Sequence, residues 1–298
     1  MQYDAIVVGG SFAGLSAATY IARGRRAVAV IDAGAPRNRF AAHSHGFLAQ
    51  DGSEPRAILS AARAQLGAYA EVSFLDATAI DARAVEGGFA VVLADGETLE
   101  ARKLVLAFGL SDVLPEIPGL RERWGRSVLH CPYCHGYEFS GQRLGVLHTA
   151  PHSAHQAMLI AEWGPTTLFL NSKESPDEAT REELLRRGVS IEPAPVLALE
   201  GDDGAPVRLT LGDGRHQALD ALYIAAPTRL NSALAEKLGC AIDDGPLGPI
   251  IRTDADKMTT VPGVYAAGDI ARAPHSATWA ASDGITAGVA LHRSLVFG

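Results

Sequence analysis

The first 32 residues constrain the fold of this chain more than any other stretch. An apolar run at residues 5–8 (AIVV) predicts a buried parallel strand. It leads into a glycine-rich turn at residues 9–14 (GGSFAG) and then a helical stretch to about Gly24. A second apolar run, residues 27–31, ends on Asp32. This order of strand, glycine turn, helix, strand and acid predicts a βαβ unit that binds a dinucleotide.

Each residue type in this unit has a chemical reason. Gly9 permits the tight turn, and Gly14 lets the helix and the strand approach each other. The helix start offers backbone N–H groups to a pyrophosphate, and Asp32 can accept hydrogen bonds from ribose hydroxyls. Ser11 stands where the usual second glycine would be, and it is small enough to permit close approach. A βαβ turn that binds no nucleotide is the alternative interpretation.

Two cysteines three positions apart, Cys131 and Cys134, lie near the middle of the chain in the segment CPYCHGYE. This spacing allows a small disulfide loop, and a helix beginning there would lower a thiol pKa toward neutrality. The pair therefore predicts a redox-active dithiol. Half a zinc site is the alternative, since His130 and His135 flank the pair, but Cys240 is alone. We expect no metal, and we interpret Cys240 as a buried, inert thiol.

Composition narrows the possible partners. The 298 residues suit two domains, and the formal net charge of −8 gives no general attraction to nucleic acid or anionic lipid. The chain has three cysteines and no apolar run approaching ~18 residues. We therefore expect a cytoplasmic protein that binds neither nucleic acid nor membrane, in a compartment where a CxxC pair is more often catalytic than structural.

The remaining patterns predict an α/β protein with two Rossmann-like domains, the second inserted in the first. Residues 72–105 alternate apolar and polar side chains around glycine turns, which predicts a small antiparallel meander. A proline-rich crossing follows this region. We expect a discontinuous first domain, residues 1–112 and 246–298, and an inserted domain at residues 113–245 that carries the CxxC pair.

The inserted domain repeats the opening pattern without its glycines. A strand at residues 144–147 and a helix at residues 153–163 flank the segment HTAPH, where a nucleotide site needs bare backbone. The next strand is followed by residues 171–174 (NSKE), which lack the arginine fork that favours a 2′-phosphate. We expect a nicotinamide nucleotide to bind poorly, so NADPH is a doubtful cofactor.

Residues 36–55 show no regular period and predict a long loop that crosses the nucleotide site. Its histidines, His43 and His45, are possible ligands or proton relays, although a surface or cofactor-packing role is the favoured interpretation. Near the C-terminus a predicted strand ends in Gly268 and Asp269, which places a carboxylate at the edge of the sheet where ligands bind. A helix is predicted over residues 276–295.

Three motifs, in this order, resemble those of the low-molecular-weight thioredoxin reductase family of flavoproteins. They are the fingerprint from Gly9 to Asp32, the CxxC pair, and the segment Ala-Gly-Asp that ends at Asp269. The resemblance covers essentially the whole chain. The segment CPYCHGYE is most similar to a subgroup that includes the dithiol oxidases that close disulfides in gliotoxin-, holomycin- and romidepsin-type natural products.

The resemblance implies FAD in the first domain. The positions that it assigns to the cofactor are Gly9, Ser11, Ala13, Gly14, Asp32, Arg39, Gly109, Gly268, Asp269, Ala277 and Thr278. It places Cys134 next to the flavin and makes Cys131 the thiol that exchanges with the partner sulfur. Ordinary thioredoxin reductases carry an aspartate after their CxxC, whereas this chain has His135. Histidine titrates near neutrality, so we interpret His135 as a general base, with a structural cap as the alternative.

These observations predict an FAD-dependent thiol-disulfide oxidoreductase that works without NADPH in the dithiol oxidase direction. Its partner would be a small-molecule dithiol or disulfide, or a thioredoxin-like protein. Two alternatives remain: a thioredoxin reductase that uses NADPH in a non-standard site or a protein donor such as ferredoxin, and a non-catalytic FAD-binding redox sensor. The resemblance also implies a homodimer.

Overall fold

The computed structural model describes residues 2–201 and 206–298. The strands in this part of the chain are β1 (Tyr3–Val8), β2 (Val28–Asp32), β3 (Val72–Asp76), β4 (Ala79–Val85), β5 (Gly88–Leu93), β6 (Thr98–Leu106), β7 (Leu110–Asp112), β8 (Val128–Leu129), β9 (Leu144–Leu147), β10 (Thr166–Phe169), β11 (Ser190–Glu192), β12 (Val196–Glu200), β13 (Val207–Leu211), β14 (His216–Leu219), β15 (Ala221–Ile224), β16 (Thr228–Leu230), β17 (Ile242–Asp244), β18 (Pro249–Ile251) and β19 (Val264–Ala266). The helices are α1 (Phe12–Arg23), α2 (Pro55–Leu66), α3 (Pro132–His135), α4 (Ser153–Ile160), α5 (Glu178–Arg186), α6 (Leu234–Lys237) and α7 (Ala277–Phe297).

The described residues fall into two units. The first comprises residues 2–39, 54–111 and 228–298, and the second comprises residues 40–53 together with those of 112–227. Both contain parallel sheets with helices between their strands, which is the α/β architecture that the sequence predicted.

The first unit is built on a seven-stranded sheet in the order β3-β2-β1-β6-β5-β4, with β19 also paired to β6. Parallel pairing joins β3, β2, β1, β6 and β19. Strand β5 is antiparallel to both of its neighbours, β4 and β6. Strand β1 is buried on both faces: Ile6 and Val8 belong to one hydrophobic cluster, and Ala5 and Val7 belong to another. A strand buried on both faces explains the continuous apolar run at the start of the sequence.

Helix α1 packs closely against the C-terminal helix α7 because glycines line the contact. A Cβ atom at Gly284 would overlap the carbonyl oxygen of Ala13, and one at Gly288, a turn later, would lie 2.6 Å from the carbonyl oxygen of Ala17. Only a residue without a side chain permits backbones to approach this closely. The contact fixes the start of α1 beside the C-terminal helix.

The second unit contains a five-stranded parallel sheet in the order β11-β10-β9-β15-β8 and a separate antiparallel sheet, β12-β13-β14. Helix α4 connects β9 to β10, as the sequence predicted. A hairpin signal at residues 201–204 lies partly outside the described residues. In the part of the chain that the structure describes, no helix combines the length and apolar character needed to span a bilayer.

Three details differ from the sequence-based expectation. Residues 40–53, which were expected in the first domain, belong to the second unit. Strand β3 pairs in parallel with β2, so the antiparallel meander begins at β4 and is continuous with the main sheet. The first unit resumes at Thr228 rather than at residue 246, because β16 pairs with β7 and because Leu234, Ala235 and Cys240 pack in a core cluster of the first unit. The elements that make these contacts, β16 and α6, are short, and their apolar residues show no clear period in the sequence.

Candidate active site

In the first βα turn, between β1 and α1, backbone segments lie so close together that two positions have no room for a side chain. A Cβ atom at Gly9 would overlap the carbonyl oxygen of Ala107, and one at Gly14 would overlap the carbonyl oxygen of Gly9. Gly9 also has a positive φ of 116°, a conformation that side chains disfavour. The predicted roles of these two glycines, a tight turn and a close helix–strand approach, agree with this geometry.

The start of α1 has no side-chain cap. Ser11 is the N-cap residue, but its side chain makes no capping hydrogen bond, so it leaves the first N–H groups of the helix to other partners. Asp32 ends β2, and its carboxylate accepts a hydrogen bond from the Gly34 N–H at 3.1 Å. A Cβ atom at Gly10 would lie 2.6 Å from the Asp32 carboxyl carbon. An uncapped helix start with a carboxylate at the neighbouring strand end fits a dinucleotide.

The last strand of the main sheet brings a second carboxylate to the same unit. Strand β19 leads to Gly268, whose φ is 82°, and to the partly exposed Asp269. A Cβ atom at Gly268 would lie 2.9 Å from the Cβ atom of Ala13, the buried second residue of α1. Gly268 and Ala13 therefore lie side by side, and Asp269 follows directly.

Asp269 has a partner that the sequence did not identify. The Arg37 guanidinium lies 2.9 Å from the Asp269 carboxylate and 2.8 Å from Nδ1 of His275. Arg39, which the resemblance assigned to the cofactor, donates to the carbonyl oxygens of Ala35 and Pro36 in its own loop. The sequence signal was the pair of arginines in residues 36–39 (PRNR), but sequence alone did not distinguish them.

The other assigned cofactor positions also lie in the first unit. Gly109 follows β6 with a φ of 69°, and its carbonyl oxygen accepts a hydrogen bond from the Asn231 N–H at 3.2 Å. Ala277 and Thr278 begin α7 as predicted, and the N-cap hydroxyl of Ser276 accepts from the Trp279 N–H at 3.1 Å. The start of α7 is thus capped by a side chain, unlike that of α1.

The dithiol lies in the second unit. Cys131 and Cys134 are joined by a disulfide with 5.3 Å between their Cα atoms, and Cys131 is the N-cap of α3. Tyr133 lies between them in sequence, is 73% exposed, and meets Trp163 edge to face at 5.6 Å. Gly136 ends this short helix, and a Cβ atom there would lie 2.9 Å from the Trp163 indole. Trp163 therefore packs against the middle of the dithiol turn, at Tyr133, and against its C-terminal end, at Gly136.

His135 follows Cys134 and is half-buried. Burial lowers the pKa of His135, the nearby His45 lowers it further, and the carboxylate of Glu138 opposes both effects. A neutral imidazole next to a disulfide in the sequence can accept a proton from an incoming thiol. This is the protonation state that the predicted base requires.

The segment at residues 40–53 contributes His45 to this unit. The Nε2 atom of His45 lies 3.5 Å from a Glu138 carboxylate oxygen, and its ring meets that of His135 edge to face with 6.5 Å between centroids. His43 is exposed, and its Nδ1 atom lies 3.0 Å from the carbonyl oxygen of Gly52. The contacts of His45 with His135 and Glu138 were not predicted from the sequence.

In the second unit, the βα turn between β9 and α4 is filled by hydrogen bonds within the chain. The N–H groups of Thr149 and Ala150 both donate to the hydroxyl of Ser153 at 3.1 Å, and Ser153 is fully buried. The Thr149 hydroxyl donates in turn to the carbonyl oxygen of Ala225 at 3.0 Å. These N–H groups belong to the turn that corresponds to the glycine-rich turn between β1 and α1 in the first unit.

The third cysteine lies in the first unit, away from any described thiol partner. Cys240 is buried, its thiol lies 3.4 Å from the Thr259 hydroxyl, and burial raises its pKa. Among the described residues, no group of three or more histidine, cysteine, aspartate or glutamate side chains is arranged to hold a metal ion. Cys240 thus has the surroundings of an inert thiol.

Comparison with known proteins identifies the family. A model of the pyridine nucleotide-disulphide oxidoreductase family matches residues 3–284, nearly the whole chain. The chain belongs to this family. It is 33% identical to "Thioredoxin reductase tcpT" of Claviceps purpurea over 283 residues, which cover 89% of this chain and 86% of that protein.

Solved structures agree with this membership. An oxidoreductase from Agrobacterium tumefaciens matches with a TM-score of 0.95 and 43% identity, covering 100% of this chain and 99% of that one. The structure of HlmI matches with a TM-score of 0.92 and 37% identity, covering 98% and 92% of the two chains. The protein is therefore a flavin disulfide oxidoreductase of thioredoxin reductase type, and FAD is the cofactor that this family membership implies.

Proposed function

We propose that the protein oxidises a substrate dithiol to a disulfide through Cys131 and Cys134, without drawing electrons from NADPH. The observation that carries this proposal is the closed turn of the second unit. A pyrophosphate binds where backbone N–H groups are free, but those of Thr149 and Ala150 already donate to Ser153. Neither α1 nor α4 has a side-chain cap, but in the second unit the hydroxyl of Ser153 fills the turn before the helix.

The 2′-phosphate of NADPH also lacks its usual partner. After β10 the chain continues through Asn171, Ser172 and Lys173, without an arginine before residue 181. The Asn171 side chain is used to accept a hydrogen bond from the Val196 N–H at 2.9 Å. A single lysine gives a point charge rather than the bidentate fork of an arginine.

The proposed chemistry is thiol-disulfide exchange. A substrate thiol gives its proton to neutral His135, and the thiolate attacks the sulfur of Cys131, so that Cys134 leaves as a thiolate. The second substrate thiolate then attacks the substrate sulfur of this mixed disulfide, which releases Cys131 and the substrate disulfide. The substrate loses two electrons and the enzyme pair gains them.

The residues of the first unit would hold FAD, which when bound supplies the two-electron acceptor that returns the cysteine pair to its disulfide. The uncapped start of α1 would receive the pyrophosphate, and Asp32 the adenosine ribose. Asp269, paired with Arg37, would bind the ribityl chain. We further propose that the enzyme is a cytoplasmic homodimer and that it acts on a small-molecule dithiol or a thioredoxin-like protein.

NADPH-dependent thioredoxin reduction is the second candidate function. It is favoured by the names of relatives, since "Thioredoxin reductase tcpT" and "Thioredoxin reductase sirT" of Leptosphaeria maculans are 33% and 31% identical to this chain. In that case the nucleotide would have to displace the hydrogen bonds that Ser153 accepts.

An anaerobic reduction assay separates the two functions. The flavin-loaded protein is mixed with NADPH or with dithiothreitol, and the visible flavin absorbance is followed. We expect dithiothreitol to bleach the flavin and NADPH at micromolar concentration to leave it oxidised. Rapid bleaching by NADPH would overturn the proposal, and bleaching by neither reagent would favour a redox sensor or a protein donor.

A further inference from the structure

His45 lies against His135 and Glu138, two residues on the C-terminal side of the dithiol pair. Its ring meets that of His135 at an interplanar angle of 84°, with centroids 6.5 Å apart. Its Nε2 atom lies 3.5 Å from a carboxylate oxygen of Glu138, three residues after His135. One imidazole thus contacts both the proposed base and the acid next to it.

The segment that carries His45 is closed by its own hydrogen bonds. The Ser44 N–H donates to the Ser53 carbonyl oxygen at 2.8 Å, and the Gly46 N–H donates to the Asp51 carboxylate at 2.8 Å. His45 lies between the two residues that make these bonds. The backbone therefore holds the imidazole at its position next to Glu138.

Several titratable groups in the described part of the chain lie near His135 or near His45, and one of them is His43, whose ring centroid lies 6.3 Å from that of His45. Glu138 and His45 act on it directly. Asp51 lies behind His45, with its carboxylate 3.6 Å from Nδ1, and the buried hydroxyl of Tyr223 lies within electrostatic range of Glu138. Burial raises the pKa of Tyr223 far above the physiological range, so this phenol is neutral and adds no charge.

We propose that His45 and Glu138, which lie in contact with each other, together position His135 and set the pH range in which His135 accepts the substrate proton. Both are positioning residues, since they act through His135. The proposal rests on the proposed function for the role of His135 as a base. The contact geometry of the pair is independent of that role.

The two members of the pair act on His135 in opposite directions. Glu138 stabilises the imidazolium that forms when His135 takes a proton, whereas a protonated His45 repels it. Removal of Glu138 should therefore lower the pKa of His135, and removal of His45 should raise it. A purely structural role would not produce shifts of opposite sign.

The test compares Glu138→Gln, His45→Gln and the double variant by NMR titration of the His135 imidazole in the oxidised, flavin-loaded protein. We expect the His135 midpoint to move to lower pH in Glu138→Gln, to higher pH in His45→Gln, and to lie between these two in the double variant. Glu138→Asp should lie closer to the wild type than Glu138→Gln, because it keeps the charge. His216→Gln is the control, since His216 is exposed on β14 and its Nδ1 atom lies 3.2 Å from the Thr210 hydroxyl.

A second readout is the pH dependence of disulfide reduction by dithiothreitol, with flavin content confirming that each variant is folded. Its acidic limb should move in the same direction as the NMR midpoint. Midpoints that stay unchanged, or that move the same way in both single variants, would overturn the proposed role of His45 and Glu138. Opposite midpoint shifts with an unmoved rate profile would support the pair and overturn His135 as the base, while the NADPH assay tests the proposed function separately.

Discussion

Arg37 forms an ion pair with Asp269 at 2.9 Å, although 232 residues separate them in the chain. Both side chains are largely buried, at 15% and 18% exposure, so solvent screens the pair less than an exposed one. The pair fixes the orientation of the carboxylate at the end of the last strand. Asp269 is the residue that the family resemblance assigns to the flavin ribityl chain.

We therefore expect Arg37→Gln to weaken flavin binding about tenfold, the effect of losing about 1.4 kcal/mol from a charge-assisted hydrogen bond. Arg39→Gln is the matched control, because the guanidinium of Arg39 donates to carbonyl oxygens of its own loop. Its effect should be smaller. Titration of flavin-free protein with FAD, followed by fluorescence, measures both affinities. Equal losses in the two variants would remove the special role of the Arg37–Asp269 pair.

The same arginines show where sequence reasoning succeeds and where it stops. The order of β1, α1 and β2 was predicted because apolar runs and glycines report local structure directly. The ion pair of Arg37 with Asp269 was not predicted, because it depends on which side chain reaches a residue from the other end of the chain. A local pattern contains no such information.

The surroundings of the dithiol could likewise be predicted only in part from the sequence. The CxxC pair and the histidine after it are visible in the sequence, but the contact between His45 and Glu138 joins residues from two distant segments. The sequence predicted only part of what distinguishes the turn between β9 and α4. Missing glycines predicted a poor nucleotide site, whereas the use of its N–H groups by Ser153 required the structure.

The three cysteines should differ in their effect on dithiol-driven flavin reduction. Cys134→Ser removes the thiolate that leaves during exchange, so flavin bleaching by dithiothreitol should be abolished, and Cys131→Ser should block the first attack. Cys240→Ser is the control, since this thiol is buried and its pKa is raised by burial. Its bleaching rate should equal that of the wild type. Persistent rapid bleaching in Cys134→Ser would contradict the assignment of the pair.

Gly136 should be needed for the packing of the dithiol turn. A Cβ atom there would lie 2.5 Å from the Pro132 carbonyl oxygen and 2.9 Å from the Trp163 indole, so Gly136→Ala must displace one of them. We expect a loss of about 1–3 kcal/mol in unfolding free energy, as for other overpacked sites. Chemical denaturation followed by tryptophan fluorescence measures it.

The chain offers a matched control for this glycine. Gly67 also caps a helix, with a φ of −64° against −67° for Gly136, and the nearest atom to its added Cβ lies 3.3 Å away. Gly67→Ala should therefore change the unfolding free energy by less than about 0.5 kcal/mol. Similar losses in both variants would show that backbone conformation, rather than contact with Trp163, decides the cost.

Acidification should destabilise the second unit through its half-buried histidines. Burial lowers the pKa of His135, His148 and His152, and Lys173 and His155 lower those of the latter two further. The buried Nδ1 atom of His148 has no hydrogen-bond partner. The native state therefore favours neutral imidazoles, whereas the unfolded chain protonates them at an ordinary pKa of about 6.5.

The direction of the effect follows from proton linkage. Between the lowered native pKa and about pH 6.5, the unfolded state binds more protons than the native state, so stability rises with pH in that window. Stability should therefore fall as the pH is lowered from about 6.5 and level off, as far as these histidines are concerned, below their native pKa values. His148→Gln removes one such group, and the decline of its thermal midpoint on acidification should be shallower than that of the wild type. His216→Gln, which changes an exposed histidine of β14, should keep the wild-type slope. An unchanged slope in His148→Gln would show that protonation of His148 does not contribute to acid sensitivity.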